Sequence, residues 1–404
     1  MLYRRLRLYP PHYTMTKQCY EIILNHNCDL ACGFCSQSDF DPAATTELKA
    51  AVRHIYTAKK LGYQRLGFSG GEALLRSDLS SLIAIARKVG FKTVRLQTNG
   101  MKLSDPKLCR NLAAAGLTVC KFTFLGDSAR AHDRNTGKTG SFKKSLRGLD
   151  NMLALNLSIG VNLLLTKQNY RRLKKSMRFF MDRGVSNFVL IYPIYVGNMR
   201  KNYRTLGVSM PKASKFITEA LDLAQAAGLG QGVKALNMPP CLLPGHETRA
   251  VELYKFNTMV ASPLGRTWDL DSNITDAKER GAVCAACVFK RRCPGVDHNY
   301  LDLFGWKGFR PVTRPAKKKA LRPEPGYLDS LEKCFVEVLK KENDISTTRV
   351  LSLARNLPLC HDCRDGSSVL TTGEALVKKG RVKRTFKTGK YFWSLAPAQD
   401  RRWT

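Results

Sequence analysis

Between about residues 18 and 200, short apolar runs alternate with amphipathic stretches of helical spacing. The runs are CYEIIL (19–24), RLGFSG (65–70), TVRLQTN (93–99), TVCKFTF (118–124), SIGVNLLL (158–165) and NFVLIYP (187–193). Helical patterns cover 46–61, 77–89, 106–115, 141–155 and 168–183. Strands and helices alternating over short loops predict a parallel sheet with crossover helices. Six units are too few to close an eight-fold ring. The expected fold is therefore α/β, an open, partial (β/α)6 TIM-like barrel. In such folds chemistry gathers at the C-terminal ends of the strands. The unusual residues fall there: cysteines after the first run, GGE after the second, TNG after the third.

The segment HNCDLACGFCSQ (26–37) puts Cys28, Cys32 and Cys35 within eight residues. A disulfide framework suits short secreted chains, whereas this one has 404 residues and an odd thirteen cysteines. Reduced, metal-binding thiols are the better account. A structural zinc wants four ligands, usually as two paired halves. Three thiolates can instead hold three irons of a cubane cluster and leave the fourth iron open to a substrate or cosubstrate.

Cys28, Cys32, Phe34 and Cys35 match the CxxxCxΦC motif, and Gly70, Gly71 and Glu72 match the GGE motif, of the radical S-adenosylmethionine (SAM) superfamily. The chain resembles that family over roughly residues 19–200, including TNG (98–100), HDRNTGKTGSF (132–142) and VNLLLTKQN (161–169). The resemblance implies a [4Fe–4S] cluster on the three thiolates, with SAM chelating the fourth iron. The backbone at Gly70–Gly71 and the Glu72 carboxylate would meet the SAM ammonium. Reductive cleavage of SAM would give a 5′-deoxyadenosyl radical that takes a hydrogen atom from the substrate. Thr123 stands where many members put a hydroxyl near the SAM ribose, and Asn162 is a second candidate for SAM contact. Here the fourth run reads FTFLGD, where relatives often carry a Ser-Leu-Asp-like sequence. A flavodoxin- or ferredoxin-like electron donor is the implied partner. No catalytic acid, base or radical-quenching residue is assigned.

Residues 201–310 change character and show little regular periodicity. Cys284, Cys287 and Cys293 in CAACVFKRRCPG (284–295) resemble the SPASM and twitch auxiliary-cluster extensions that follow many radical SAM barrels. Cys241, in PPCLLPGHE (239–247), is the best distant fourth ligand, with Asp297 and His298 as nearer alternatives. A second [4Fe–4S] cluster is expected at these four thiols, and a structural zinc would use the same set.

A basic Pro-rich linker follows (311–326), then a C-terminal unit (327–404) whose helical stretches end in a hairpin pattern turning at KTGK (387–390). That order resembles a winged helix-turn-helix. Its end is crowded with Lys378, Lys379, Arg381, Lys383, Arg384, Lys387 and Lys390, interleaved with Phe386, Tyr391 and Trp393. Cys360 and Cys363 in LCHDC have ligand spacing, with Cys334 or His361 as possible companions.

The chain carries 67 Lys+Arg against 32 Asp+Glu, a formal charge of +35, which attracts polyanions. With no long apolar run and no apolar core in its N-terminal segment, it is expected to be soluble and cytoplasmic, without a membrane partner. The leading expectation is a radical SAM enzyme acting on a macromolecule, either nucleic acid or peptide. A small-molecule or natural-product enzyme, and a non-catalytic iron–sulfur regulator, are the alternatives. An intact triad with GGE favours the enzyme.

Overall fold

The apolar runs become strands of one sheet, three of them buried on nearly every residue and three on alternate residues. The computed structural model describes residues 18–155, 157–229, 232–314, 330–355 and 366–396. The six expected strands are β1 (Cys19–Ile23), β2 (Arg65–Ser69), β3 (Thr93–Thr98), β4 (Val119–Phe124), β5 (Ser158–Leu164) and β6 (Asn187–Ile191). In β4, Cys120, Phe122 and Phe124 are fully buried, while Val119, Lys121 and Thr123 line the opposite, more open face. The sheet continues past residue 200 into β7 (Val233–Leu236), β8 (Thr258–Ala261) and β9 (Thr267–Asp269).

Its order is β7-β6-β5-β4-β3-β2-β1-β8-β9. Pairing is parallel from β7 through β8 and antiparallel between β8 and β9. With β7 and β9 as edges, the barrel stays open. β7 and β8 were not expected, because four residues are too few to display an alternation.

The connecting helices are α1 (Leu48–Lys60), α2 (Leu79–Lys88), α3 (Pro106–Ala114), α4 (Ala129–Thr136), α5 (Ser141–Leu153) and α6 (Leu173–Met181). Local sequence sets their ends. Asp105 accepts from Lys107 N at 2.8 Å and Pro106 opens α3, while α4 stops at Gly137 with φ 66°. α5 and α6 cover the sheet, with Phe142 and Phe180 against Phe124.

After β6 come α7 (Gly197–Lys201), α8 (Tyr203–Leu206) and α9 (Met210–Ala226). The 17-residue α9 corrects the impression that residues 201–310 lack periodicity: Ala213, Ile217, Ala220, Leu221 and Ala224 form one buried stripe. Its alanines made the stripe weak in hydropathy. α10 (Leu270–Asp276), a small antiparallel pair of β10 (Lys278–Glu279) with β11 (Val296–Asp297), and α11 (His298–Phe304) complete this part.

The C-terminal unit has its own core. It runs α12 (Ser330–Lys341), β12 (Ile345–Ser346), α13 (Thr347–Arg355), α14 (Gly366–Lys378), β13 (Val382–Lys387) and β14 (Lys390–Leu395), with sheet order β12-β14-β13. Trp393 is fully buried there among Phe335, Val338 and Leu376, and its Nε1–H donates to Thr347 Oγ1 at 2.9 Å. Thr388 (φ 47°) and Gly389 (φ 75°) both take positive φ, as a two-residue hairpin turn of type I′ demands. Cys360, His361, Cys363 and linker residues 315–326 lie outside the described residues. No described helix is long and apolar enough to cross a membrane.

Candidate active site and auxiliary metal site

The loop after β1 carries the three thiols, and two distant segments clamp it. Ala31 N donates to Thr136 O at 3.0 Å and Gly33 N to Asn135 O at 3.1 Å. From the other side, Asn198 donates its N to Cys35 O (2.9 Å) and its Nδ2 to Cys32 O (3.2 Å). Asn202 Nδ2 donates to Gly33 O at 2.9 Å. Gly197 combines φ 58° with an approach at which a Cβ would lie 2.6 Å from Cys35 O, so only glycine fits. Phe34 is half-buried against the main core.

Cys28, Cys32 and Cys35 are half-buried and free of disulfides. Burial pushes the Cys28 thiol up to about 11. Burial, then the neighbouring Cys28 and Cys35, push Cys32 higher still. Three thiolates here repel one another, and a cationic iron core removes that penalty, so the donor set fits a cluster. No group of three or more His, Cys, Asp or Glu side chains among the described residues is already arranged to hold a metal ion. The fit rests on donor chemistry and on the loop that gathers it.

GGE joins β2 to the root of this loop. Gly71 N donates to Asn25 O and Glu72 N to Asn27 O, each at 2.8 Å. A Cβ on Gly70 would sit 2.7 Å from Asn25 O, and one on Gly71 only 2.3 Å from Asn27 O. The Glu72 carboxylate is engaged internally: it accepts from Leu74 N (3.0 Å), Thr98 Oγ1 (2.9 Å) and Asn99 N (2.7 Å). Complete burial lifts it to about 7, against the pull of those donors. Asn99 carries the connection onward, its Nδ2 donating to Asp29 Oδ1 at 2.7 Å and lying 4.0 Å from Cys28 Sγ. Asn99 was not among the expected site residues. Its place in TNG at the end of β3 was the available signal.

Thr123 and Asn162 are register partners on β4 and β5. Neither side chain has a hydrogen-bond partner among the described residues. Deeper on the same face lies a polar group that hydropathy did not reveal. Glu21 accepts from Arg95 Nη2 and, at 2.9 Å, from Gln97 Nε2. Gly67 makes room for the carboxylate, since a Cβ there would overlap Glu21 Oε2. Inward parity of residues 21, 95, 97 and 121 within apolar runs was the signal.

Tyr192, Tyr195 and Tyr300 form a buried aromatic group. All three are fully buried, the first two donating to Val208 O and the third accepting from Met210 N. Cys120 is likewise sealed in the core, where burial drives its thiol pKa far up.

Cys241 comes together with Cys284, Cys287 and Cys293 around one pocket, which Arg280 and Lys290 also line. Burial, then Cys293, Cys287 and Cys284, push the Cys241 thiol up to about 12. The 284–293 loop is held by Cys287 N to Cys284 O (3.1 Å), Cys293 N to Phe289 O (2.8 Å) and Lys290 Nζ to Ala285 O (3.0 Å). The nearer alternatives are engaged elsewhere: Asp297 caps α11 through Tyr300 N, and His298 faces Glu279. Four thiols with two cations beside them suit an anionic thiolate–metal centre.

The family model described as the Radical SAM superfamily matches residues 22–180. A PqqA peptide cyclase of Gluconobacter oxydans is 26% identical over 207 residues, covering 51% of this chain and 57% of its own. An AdoMet-dependent heme synthase of Nitratidesulfovibrio vulgaris is 28% identical over 156 residues, covering 37% of this chain and 41% of its own. The chain spans about half the length of the curated relatives it matches. Streptococcus suis SuiB bound to its precursor peptide SuiA aligns with a TM-score of 0.55 at 15% identity over 75% of each chain, a likeness of fold.

Proposed function

We propose that this chain, whose residues 22–180 match the Radical SAM superfamily model, is an enzyme that uses a [4Fe–4S] cluster and SAM to take a hydrogen atom from a peptide substrate, assisted by a second cluster. When bound, such a cluster would supply the electron for reductive cleavage of SAM. The chain's own residues do the rest. Cys28, Cys32 and Cys35 hold three irons, with Phe34 packing their loop against the core. Gly70 and Gly71 bring β2 against that loop. Glu72, after β2, and Asn99, after β3, brace it together. The unpartnered Thr123 and Asn162 side chains offer polar contacts to SAM. A flavodoxin- or ferredoxin-like donor in a reducing cytoplasm would deliver the electrons.

The observation that carries the two-cluster reading is the meeting of Cys241 with Cys284, Cys287 and Cys293 in one pocket. Peptide as substrate class is supported by the fold shared with SuiB, whose structure holds a precursor peptide, and by the PqqA peptide cyclase. We read the C-terminal unit as winged-helix-like and as the part that presents the substrate. A nucleic-acid substrate is the second reading. It is favoured by the hairpin β13–β14, where Phe386 is 66% exposed and Lys383, Arg384, Lys387 and Lys390 surround it.

The test is anaerobic reconstitution with iron, sulfide and 5′-deoxyadenosine quantified. The wild type should hold about eight irons and the Cys28/Cys32/Cys35 triple alanine variant about four, with SAM cleavage only in the former. About four irons plus zinc would make the second site structural. Fully loaded clusters without SAM cleavage would overturn the proposal.

A further inference from the structure

The inner face of the barrel holds more cation than its carboxylate answers. Glu21 is committed to Arg95 and Gln97. Lys121 points into the same space across Gly160, where a Cβ would stand 3.5 Å from its Cγ. The ammonium has no hydrogen-bond or ion-pair partner among the described residues, although Glu21, Arg95 and Arg65 are near enough to act on its charge. The Arg95 Nε–H is also buried without an acceptor. Burial, then Arg95, lower the Lys121 ammonium to about 8. The Lys121 side chain is half-buried, and a partly desolvated cation without a partner is costly, so folds keep such groups mainly where a ligand completes them.

Register locates the group. Gln97, Lys121, Gly160 and Asn187 form one cross-strand layer, and Thr123, Asn162, Val189 and Lys234 form the next toward the C-terminal strand ends. Two residues of strand separate the layers, roughly 6.6 Å. An anion held at Lys121 would direct its attached carbons toward Thr123 and Asn162, the side on which the thiol loop lies.

We infer that Lys121, with the Arg95 Nε–H beside it, is a substrate-binding subsite for a carboxylate, such as the side chain of an acidic residue in the peptide. The inference rests on the barrel being the substrate chamber of the proposed enzyme. One uncommitted ammonium matches a monoanion. A phosphate dianion would bring its second charge against Glu21. Lys121 is thus a specificity residue: it selects a substrate whose reacting carbons are close to a carboxylate.

The experiment uses the full, anaerobically reconstituted protein with glutarate as probe and the neutral glutaramide as control. Amine acetylation at pH 8 is followed residue by residue by mass spectrometry, with exposed Lys143 and Lys144 as internal references. Glutarate should slow labelling of Lys121 about tenfold once it exceeds its Kd by about that factor, leaving the references unchanged. Glutarate should also raise the Tm of the wild type and of Lys121→Arg, but not of Lys121→Met. Equal protection by glutaramide, or an undiminished Tm rise in Lys121→Met, overturns the subsite. Failure of the proposed function registers separately, as absence of 5′-deoxyadenosine from the same loaded wild-type sample.

Discussion

Replacing Gly71 with alanine would place a methyl carbon 2.3 Å from Asn27 O, 2.5 Å from His26 O and 2.7 Å from Asn27 C. All three are main-chain atoms, so no rotamer change relieves the clash. Reaching ordinary van der Waals contact requires the strand end and the chain at Asn27 to separate by about 1 Å, and overpacking of this kind typically costs 1–3 kcal/mol. The main-chain bonds Gly71 N to Asn25 O and Glu72 N to Asn27 O lie across that same seam and would lengthen with it. Reduced freedom of the unfolded chain offsets about 0.4–1 kcal/mol. A net loss of about 1–2 kcal/mol is expected, read as a lower denaturation midpoint of the cluster-free protein. Because Asn27 immediately precedes Cys28, iron bound by the triad should fall as well, with auxiliary iron retained. Gly160→Ala is the contrast. Its nearest neighbours are the Asn187 Oδ1 at 3.1 Å and the Lys121 Cγ at 3.5 Å, both on flexible side chains. An unchanged midpoint and full triad iron in Gly71→Ala would refute the reasoning that glycine serves the close approach.

Cys241→Ala should remove about four irons while leaving the triad's cluster spectroscopically intact, because the remaining three thiols of that pocket lose a ligand from a separate segment. Trp393→Ala should cost the C-terminal unit about 3–5 kcal/mol, seen as early proteolysis of residues 330–396 with iron content unchanged. Glu72 gives a pH signature in the cluster-free protein. Its folded value, raised from 4.5 to about 7, means that folding takes up a proton in that window. The stabilisation is therefore fully present below pH 4.5 and lost as pH rises through 7, about 3 kcal/mol in all. Glu72→Gln should abolish that slope, as measured by denaturation midpoints across the range.

The six long runs were legible because each has five or more residues and is either buried almost throughout, as β1, β2 and β5 are, or alternates, as β3, β4 and β6 do. Their observed limits lie within two residues of the expected ones, as in β4, Val119–Phe124 against 118–124. What escaped is short, or is set by partners far away in sequence. β7 and β8 have four residues each and owe their pairing to β6 and β1. For the site, a cysteine's spacing shows that it can bind metal, and the structure then brings Cys241 to the other three. Spacing cannot show what a carboxylate touches: two of the donors to Glu72, Thr98 and Asn99, come from TNG, a strand away. The inward polar group of Glu21, Arg95, Gln97 and Lys121 went unread because its members come from three different runs and meet only through the register of the sheet.

The clamp on the thiol loop also bears on synthesis. Cys28, Cys32 and Cys35 leave the ribosome well before Asn135, Thr136, Asn198 and Asn202, the groups that shape their loop. At about 5–20 residues per second, translation needs roughly 10–35 s to pass from the first of those thiols to the last of those asparagines. Throughout that interval the nascent chain displays three thiols without the cage that orders them, open to oxidation or to a mistaken metal. Delivery of iron in the cell must therefore either wait for the second half of the barrel or be accompanied by a factor that shields the thiols until it arrives.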